Sequence, residues 1–466
     1  MNEEMLTRYK AAALQGDVEA QFKLGEYYFE QNAEAETDEE EEKTGAECVK
    51  YYTMAAEQGH AAAQYTLGEL YDTGIGVEED EKKAEKWYKL AAEQGDATGQ
   101  YRLADFYYNM DKITKAVKWF KAAAEQGDAD AMFSLGEIYY EEKEDDIEAF
   151  FWYTAAAERG HQKAQFELAQ CYKYEIGIEE DDEAAFFWYK KAAEQGHKKA
   201  QFELAQCYEY GTGTEEDDKE AFFWYKKAAG QGVMEAQFAL ALCYKYAVGT
   251  EEDKDEAFFW FRESAEQEFP DAQFALGMCY TQGTGTEKND EEAFKWFKLA
   301  AEQEFDKAQY ALGMCYTKGI GTGKDEKKAF KWFKLAAGQN HQKAQYQLAD
   351  CYFCSRGVAE NLPAGIKWYT KAAEQGHILS QFTLGFCHFY GKGVEQNGKQ
   401  AVKWFKAAAE QNNPAAQYFM GECYALGMGV KRDLDEAFNW YLLSAKQGYK
   451  KAREKLNLGE NDIITD

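Results

Sequence analysis

Proline is almost missing, at 3 in 466 residues. Its ring breaks helix interiors, so its scarcity leaves long stretches free to coil. Alternating runs of β-branched residues are also lacking, which argues against a sheet. No stretch approaches the ~18 consecutive apolar residues of a membrane span. Positive charge is in short supply: 53 Lys and Arg stand against 84 Asp and Glu, a formal net charge of −31. Such a balance repels nucleic acid and anionic membranes, and suits solubility or a basic partner. Serine is scarce, so a serine nucleophile with its partners has little to be built from. The opening Met-Asn-Glu-Glu-Met has no basic segment ahead of an apolar core, so no conventional signal peptide is expected. The expected location is the cytoplasm; export by a machine that needs no such signal stays open.

What is present is a ladder. The eleven tryptophans stand at 87, 119, 152, 188, 224, 260, 296, 332, 368, 404 and 440, and from Trp152 onward every interval is 36 residues. A fixed period of this size marks a stack of copied units, each burying its apolar face against its neighbours. With 45% hydrophobic and 16% aromatic residues, the chain is far from a disordered composition.

Residues 197–232 show one unit. Ala200, Phe202, Leu204, Ala205, Cys207 and Tyr208 recur at helical spacing and predict a first helix, A. Ala221, Trp224, Tyr225, Ala228 and Ala229 predict a second, B. Gly211-Thr212-Gly213 ends A and Gly232 ends B, as C-terminal glycines do. The acidic residues 215–218 sit where the dipole of helix B favours negative charge. The glutamine before the aromatic of helix A recurs as Gln21, Gln64, Gln100, Gln165, Gln201, Gln237, Gln273, Gln309, Gln345, Gln381 and Gln417, with Met132 in its place once, which makes twelve units. The expected organisation is a lone helix B as N-terminal cap at 1–16, twelve helix pairs at 17–449, and a capping helix with a frayed tail at 450–466. The first unit carries an insertion, Glu34–Glu42, and the third and fourth units are shortened. All three changes fall between A and B, so they are expected to change loop length alone.

The pattern Ala-Gln-[Phe/Tyr]-x-Leu-[Gly/Ala]-x-x-Tyr, then Gly-x-Gly, then Ala-x-x-Trp-[Tyr/Phe]-x-x-Ala-Ala-Glu-Gln-Gly resembles the Sel-one-like repeat (SLR) family, relatives of the tetratricopeptide repeat. The resemblance implies an all-α fold, a right-handed α/α superhelix, that works as a scaffold or adaptor for protein complexes. His388 replaces the expected Tyr of helix A, and Tyr51 the expected Trp of helix B.

Residues with chemical potential read as structural. His60, His161, His197, His341 and His377 follow the Gly or Asn that ends helix B, a slot that Asp96 and Asp128 also occupy. A turn position shared by His and Asp predicts an N-cap. Cys171, Cys207, Cys243, Cys279, Cys315, Cys351, Cys387 and Cys423 form a second 36-residue ladder. Packed helices stand about 8–10 Å apart, whereas a disulfide needs Cα atoms within about 7 Å. Buried, reduced thiols are therefore expected. Cys351-x-x-Cys354 imitates a redox pair but falls mid-helix in the repeat frame, with no strand before it. The Gly-x-Gly linkers lack the strand and the Gly-Lys-[Ser/Thr] of a phosphate loop. No catalytic residue, cofactor or metal ion is expected.

If the units stack like their tetratricopeptide relatives, A helices line a concave groove. The aromatic after Gln and the residue after Gly/Ala then face it. The second position is acidic in the first four units (Glu26, Glu69, Asp105, Glu137) but apolar at Leu242, Met278 and Met314, where Ala239, Ala275 and Ala311 leave room. The candidate partner-binding residues are Leu242, Met278, Met314 and Phe386, with the aromatics Phe238, Phe274 and Tyr310. The expected function is a non-enzymatic scaffold that takes a partner protein or peptide in the groove. The alternatives are an acidic, chaperone-like receptor for a basic protein, or a weak hydrolase.

Overall fold

Helix starts and stops are set locally. In each A helix opened by histidine, the ring accepts a backbone N–H three residues on. Nδ1 of His161, His197 and His341 lies 3.0, 3.2 and 3.1 Å from the amides of Ala164, Ala200 and Ala344. Asp96 and Asp128 do the same with a carboxylate oxygen, at 2.6 and 2.8 Å. The shared His/Asp slot is thus an N-cap. At the far end, the first glycine of the linker (Gly74, Gly211, Gly283, Gly319, Gly391, Gly427) takes the left-handed conformation and closes the helix.

The computed structural model describes residues 2–458. Among them it contains helices and turns and no strand. From Glu3 to Tyr210, and again from Met234 to Lys455, each A helix packs on the B helix of its own repeat and each B helix on the next A helix. The chain divides into two compact units, Met1–Ala228 and Ala229–Asp466. A helix at Glu3–Leu14 precedes the first pair, and a short one at Lys450–Lys455 follows the last. The tail beyond residue 458, expected to fray, lies outside the described residues.

Buried faces follow the repeat. The A helix Asp306–Lys318 buries Ala308, Gln309, Leu312, Gly313 and Cys315; the B helix Glu326–Gly338 buries Ala329, Phe333, Ala336 and Ala337. Small residues let the backbones close up: a Cβ on Gly313 would stand 2.5 Å from the Phe333 ring. Tryptophan packs where two repeats meet: Trp296 lies against a cluster of Ala272 and Leu276, from its own A helix, and Ala265, from the preceding B helix. Each fully buried Leu contributes roughly 1.5–3 kcal/mol. Tyr51, in a tryptophan's place, stacks on Tyr28 at 5.6 Å.

The glutamine that marks the repeat is a buried staple. Gln273 Nε2 donates to the Ala265 carbonyl of the preceding B helix (3.3 Å), and its Oε1 accepts from Gln303 Nε2 at the end of its own B helix (2.9 Å). Gln237, Gln309, Gln381 and Gln417 repeat the pattern. One side chain thereby ties three helices.

The insertion Glu34–Glu42 does not lengthen a loop, contrary to the expectation from the sequence. Residues 38–42 join helix B, which runs 20 residues, Asp38–Glu57, and helix A ahead of the insertion runs 16, Val18–Ala33, against 13 in most repeats. Thr37 caps B, accepting from the Glu40 amide, and Asp38, Glu39, Glu40 and Glu41 fill its first turn, where the dipole stabilises them. Asn32 Nδ2 donates to the Glu41 carbonyl at 2.6 Å and joins the two extensions. The third repeat turns through residues 110–112. The fourth leaves its A helix, Ala129–Glu137, through a π-helical turn at Ile138–Glu142.

Candidate functional site

The predicted partner-binding residues of the second unit lie on the A helices Met234–Tyr246, Pro270–Gln282, Asp306–Lys318 and Ile378–Tyr390, and all seven are half-buried. The aromatics bridge repeats. Phe274 lies 5.6 Å from Phe297 of the following B helix and 5.7 Å from Phe305, which opens the next A helix. Phe238 sits likewise between Phe261 and Phe269, and Tyr310 between Phe333 and His341. Packing therefore occupies one side of each ring.

Leu242 rests on Ala241, Ala257, Phe261 and Cys279, a surface it shares with Phe238 and Ala275. Met278 shares its support, Ala293, Phe297 and Cys315, with Ala311, and Met314 packs near Phe333 together with Tyr310. Three consecutive repeats thus bring the apolar stripe and its alanines to one set of helices. Phe386 stands apart, in an aromatic group with Tyr390 (4.6 Å) and Phe419 (5.8 Å); Phe419 fills the space that alanine leaves elsewhere. Between them Asp350 accepts a hydrogen bond from the Tyr369 hydroxyl.

In the first unit, the acidic residues line hollows the sequence did not disclose. One of about 260 Å³ lies between the A helices of the third and fourth repeats, with Asp105, Ser134 and Glu137 in its wall. The next, of about 490 Å³, is lined by Tyr140, Glu167, Gln170, Tyr174 and Glu203. A third, of about 280 Å³, shares Glu203 and adds Tyr189, Gln206 and Tyr210. Burial raises the carboxyl pKa of Asp105, Glu137 and Glu167; Glu141 adds to the shift at Glu137, and Glu137 to that at Glu167. Glu203 is paired with Lys173 at 2.7 Å. Tyr140, Tyr174 and Tyr210 stand exposed at the rims. The 36-residue interval from Tyr174 to Tyr210 was the available signal for this surface; the burial of the glutamates had none.

The eight-cysteine ladder is buried, and desolvation pushes thiols up at Cys171, Cys207, Cys351 and Cys423, to about 12, and at Cys279, Cys315 and Cys387, to about 11. Cys354 is not mid-helix as the repeat frame predicts. Its helix ends at Phe353, and Cys354 is the exposed C-cap before Ser355, which takes φ +55°. Among the described residues no three His, Cys, Asp or Glu side chains are grouped to hold a metal ion. No helix among them is long and apolar enough to cross a membrane.

These helix pairs, with their staples and recurring caps, define an all-α repeat protein of the solenoid class. The Sel1 repeat model matches twelve consecutive segments, from 18–60 to 414–449, and the chain belongs to that family. A protective antigen of uropathogenic Escherichia coli strains with an SLR fold is 33% identical over 87% of this chain and 89% of its own, with a TM-score of 0.80. A Sel1 repeat protein from Oxalobacter formigenes is 30% identical over 66% of this chain and 88% of its own, with a TM-score of 0.52. A comparison with curated proteins finds no match.

Proposed function

We propose that the chain is a protein-interaction scaffold that holds a partner segment along its A-helix face. Family membership supports the general reading. The observation that carries the specific one is the set of half-buried apolar side chains at one helical position in three successive repeats, Leu242, Met278 and Met314, each beside an alanine. A half-buried methionine presents an adaptable apolar surface to an incoming side chain. A few desolvated anchors of this kind carry most of an interface's energy.

The test is a triple substitution, Leu242→Glu/Met278→Glu/Met314→Glu, against the partner recovered by pull-down and mass spectrometry. Half-burial sets the cost to the fold at about 1 kcal/mol per site, so the variant is expected to remain helical with a lower Tm. Partner binding is expected to fall at least about tenfold, the loss of one anchor. A helical variant that binds normally places the partner elsewhere, and an unfolded one assigns the stripe to the core.

The second reading, a receptor for a basic protein, is favoured by the half-buried carboxylates of the first unit. Binding that fades as salt rises from about 10 mM to about 150 mM supports it over the apolar stripe, because that change shortens the screening length from roughly 30 to 8 Å.

A further inference from the structure

We infer that the A-helix face of the first unit seats the arginine side chains of a cationic peptide segment, each guanidinium held between a half-buried carboxylate and a rim tyrosine. The inference rests on the scaffold reading and supplies a partner class for one of its surfaces. Glu137 and Glu167 line neighbouring hollows and have no ion pair among the described residues. Their raised pKa values record charge removed from water and only partly compensated: Lys163, in the wall of the smaller hollow, offsets part of the cost at Glu137. Lys199 stands in the wall of the larger hollow and offsets only part of that cost at Glu167.

Tyr189 is an independent sign. It lines the hollow that shares Glu203, its side chain is fully buried, and its hydroxyl has no hydrogen-bond partner. The equivalent hydroxyls of Tyr369 and Tyr441 donate to Asp350 and Glu422, acids on the preceding A helix. Ahead of Tyr189 that position is Gln170, and the phenol is left without an acceptor. A buried orphan hydroxyl is uncommon in folded proteins and marks a place for an absent polar group. A bound peptide segment meets both needs of the phenol: a guanidinium N–H donates to its oxygen, and a backbone carbonyl of the segment accepts from its O–H.

The chemistry selects arginine over other occupants. A planar guanidinium makes two parallel bonds to one carboxylate and keeps its face for an aromatic ring. Tyr140 and Tyr174 border the same hollow as Glu167, and Tyr210 borders the one that holds Tyr189. Exposed rings in this setting take a cation at their faces, as Tyr174 already takes Lys173 at 5.3 Å. An anionic ligand meets a chain of net charge −31. An apolar one would further desolvate Glu137 and Glu167 and supply no cation.

The experiment uses the full chain and a fluorescent oligo-arginine peptide, followed by anisotropy at near-physiological salt. Glu137→Gln/Glu167→Gln is compared with Glu39→Gln/Glu40→Gln, which removes the same charge from exposed positions on the first B helix. The site pair is expected to weaken binding about tenfold or more, and the control pair less than about twofold, since truncating a desolvated charge pair costs far more than removing a rim charge. Tyr189→Phe, which deletes one oxygen, is expected to weaken binding about threefold. Neither glutamine substitution removes a folded-state ion pair, so thermal melts should show the fold intact. Equal weakening by the two pairs, unchanged affinity in Tyr189→Phe, or no binding by the unaltered chain overturns the inference. Each of those results leaves the scaffold reading standing, because that reading is decided by the Leu242, Met278 and Met314 variant against the natural partner.

Discussion

A histidine at a helix N-terminus is usually examined for catalysis, yet here the ring is committed to the backbone. His197 accepts from the Ala200 amide and packs against the Phe166 ring at 4.6 Å. Burial, with Lys199 beside it, holds its pKa below the usual 6.5. Only the neutral imidazole has a lone pair for the amide, so protonation removes the cap. The folded state binds that proton less tightly than the unfolded chain does. Stability from the cap is therefore complete above about pH 6.5 and is lost as pH falls below it. Aspartate serves the same slot at 96 and 128, with a carboxylate oxygen as the acceptor. His197→Asp is expected to gain on the native chain as pH drops from about 7.5 to 5.5, by roughly 1 kcal/mol, the worth of a cap. Parallel curves of Tm against pH for the two proteins would show that the ring's lone pair contributes nothing.

Within an element, the two glycines of each linker do different work. The first needs only a left-handed backbone, and Ala247 holds that conformation in one repeat at φ +57°. The second lies against the start of the preceding B helix: a Cβ on Gly321 would stand 2.0 Å from the Asp290 carbonyl oxygen. No side chain fits that gap. At Gly319 the nearest obstacle is a flexible Lys324 methylene at 3.1 Å. Gly319→Ala is expected to cost about 1 kcal/mol, the strain of the left-handed region, and Gly321→Ala about 3 kcal/mol or more, by forcing backbone apart. Urea unfolding of both variants checks the order; equal costs would mean that conformation alone selects glycine at both places.

For the molecule as a whole, charge opposes compactness. The ion pairs are mostly exposed neighbours three or four residues apart, such as Lys83–Asp80 and Lys298–Glu302, and such pairs contribute little. The net −31 is then felt chiefly as self-repulsion. Raising salt from about 10 mM to about 150 mM shortens the screening length from roughly 30 to 8 Å, and the Tm is expected to rise by several degrees. A fall in Tm over that range would show that attraction between opposite charges dominates instead.

Much of this was legible in the chain. The tryptophan period, the linker glycines and the alternation of His with Asp before helix A determine helix pairs, their number and their caps, because each signal lies within a few residues of the feature it sets. The cysteine ladder was equally readable, since its rungs fall on the apolar side of helix A. Where the sequence misled, at Glu34–Glu42 and at Cys354, a helix boundary moved, and boundaries turn on cap geometry that a repeat frame only averages. What the tertiary structure alone decided is what each side chain meets across roughly thirty residues of chain. Gln273 is visible as a recurring letter, but its bonds to Ala265 and Gln303 exist only once three helices are packed. Glu137 and Glu167 read like any other acids in an acidic protein; burial between neighbouring repeats sets them apart. Desolvation depends on atoms brought close in space, and the order of residues along one helix does not record it.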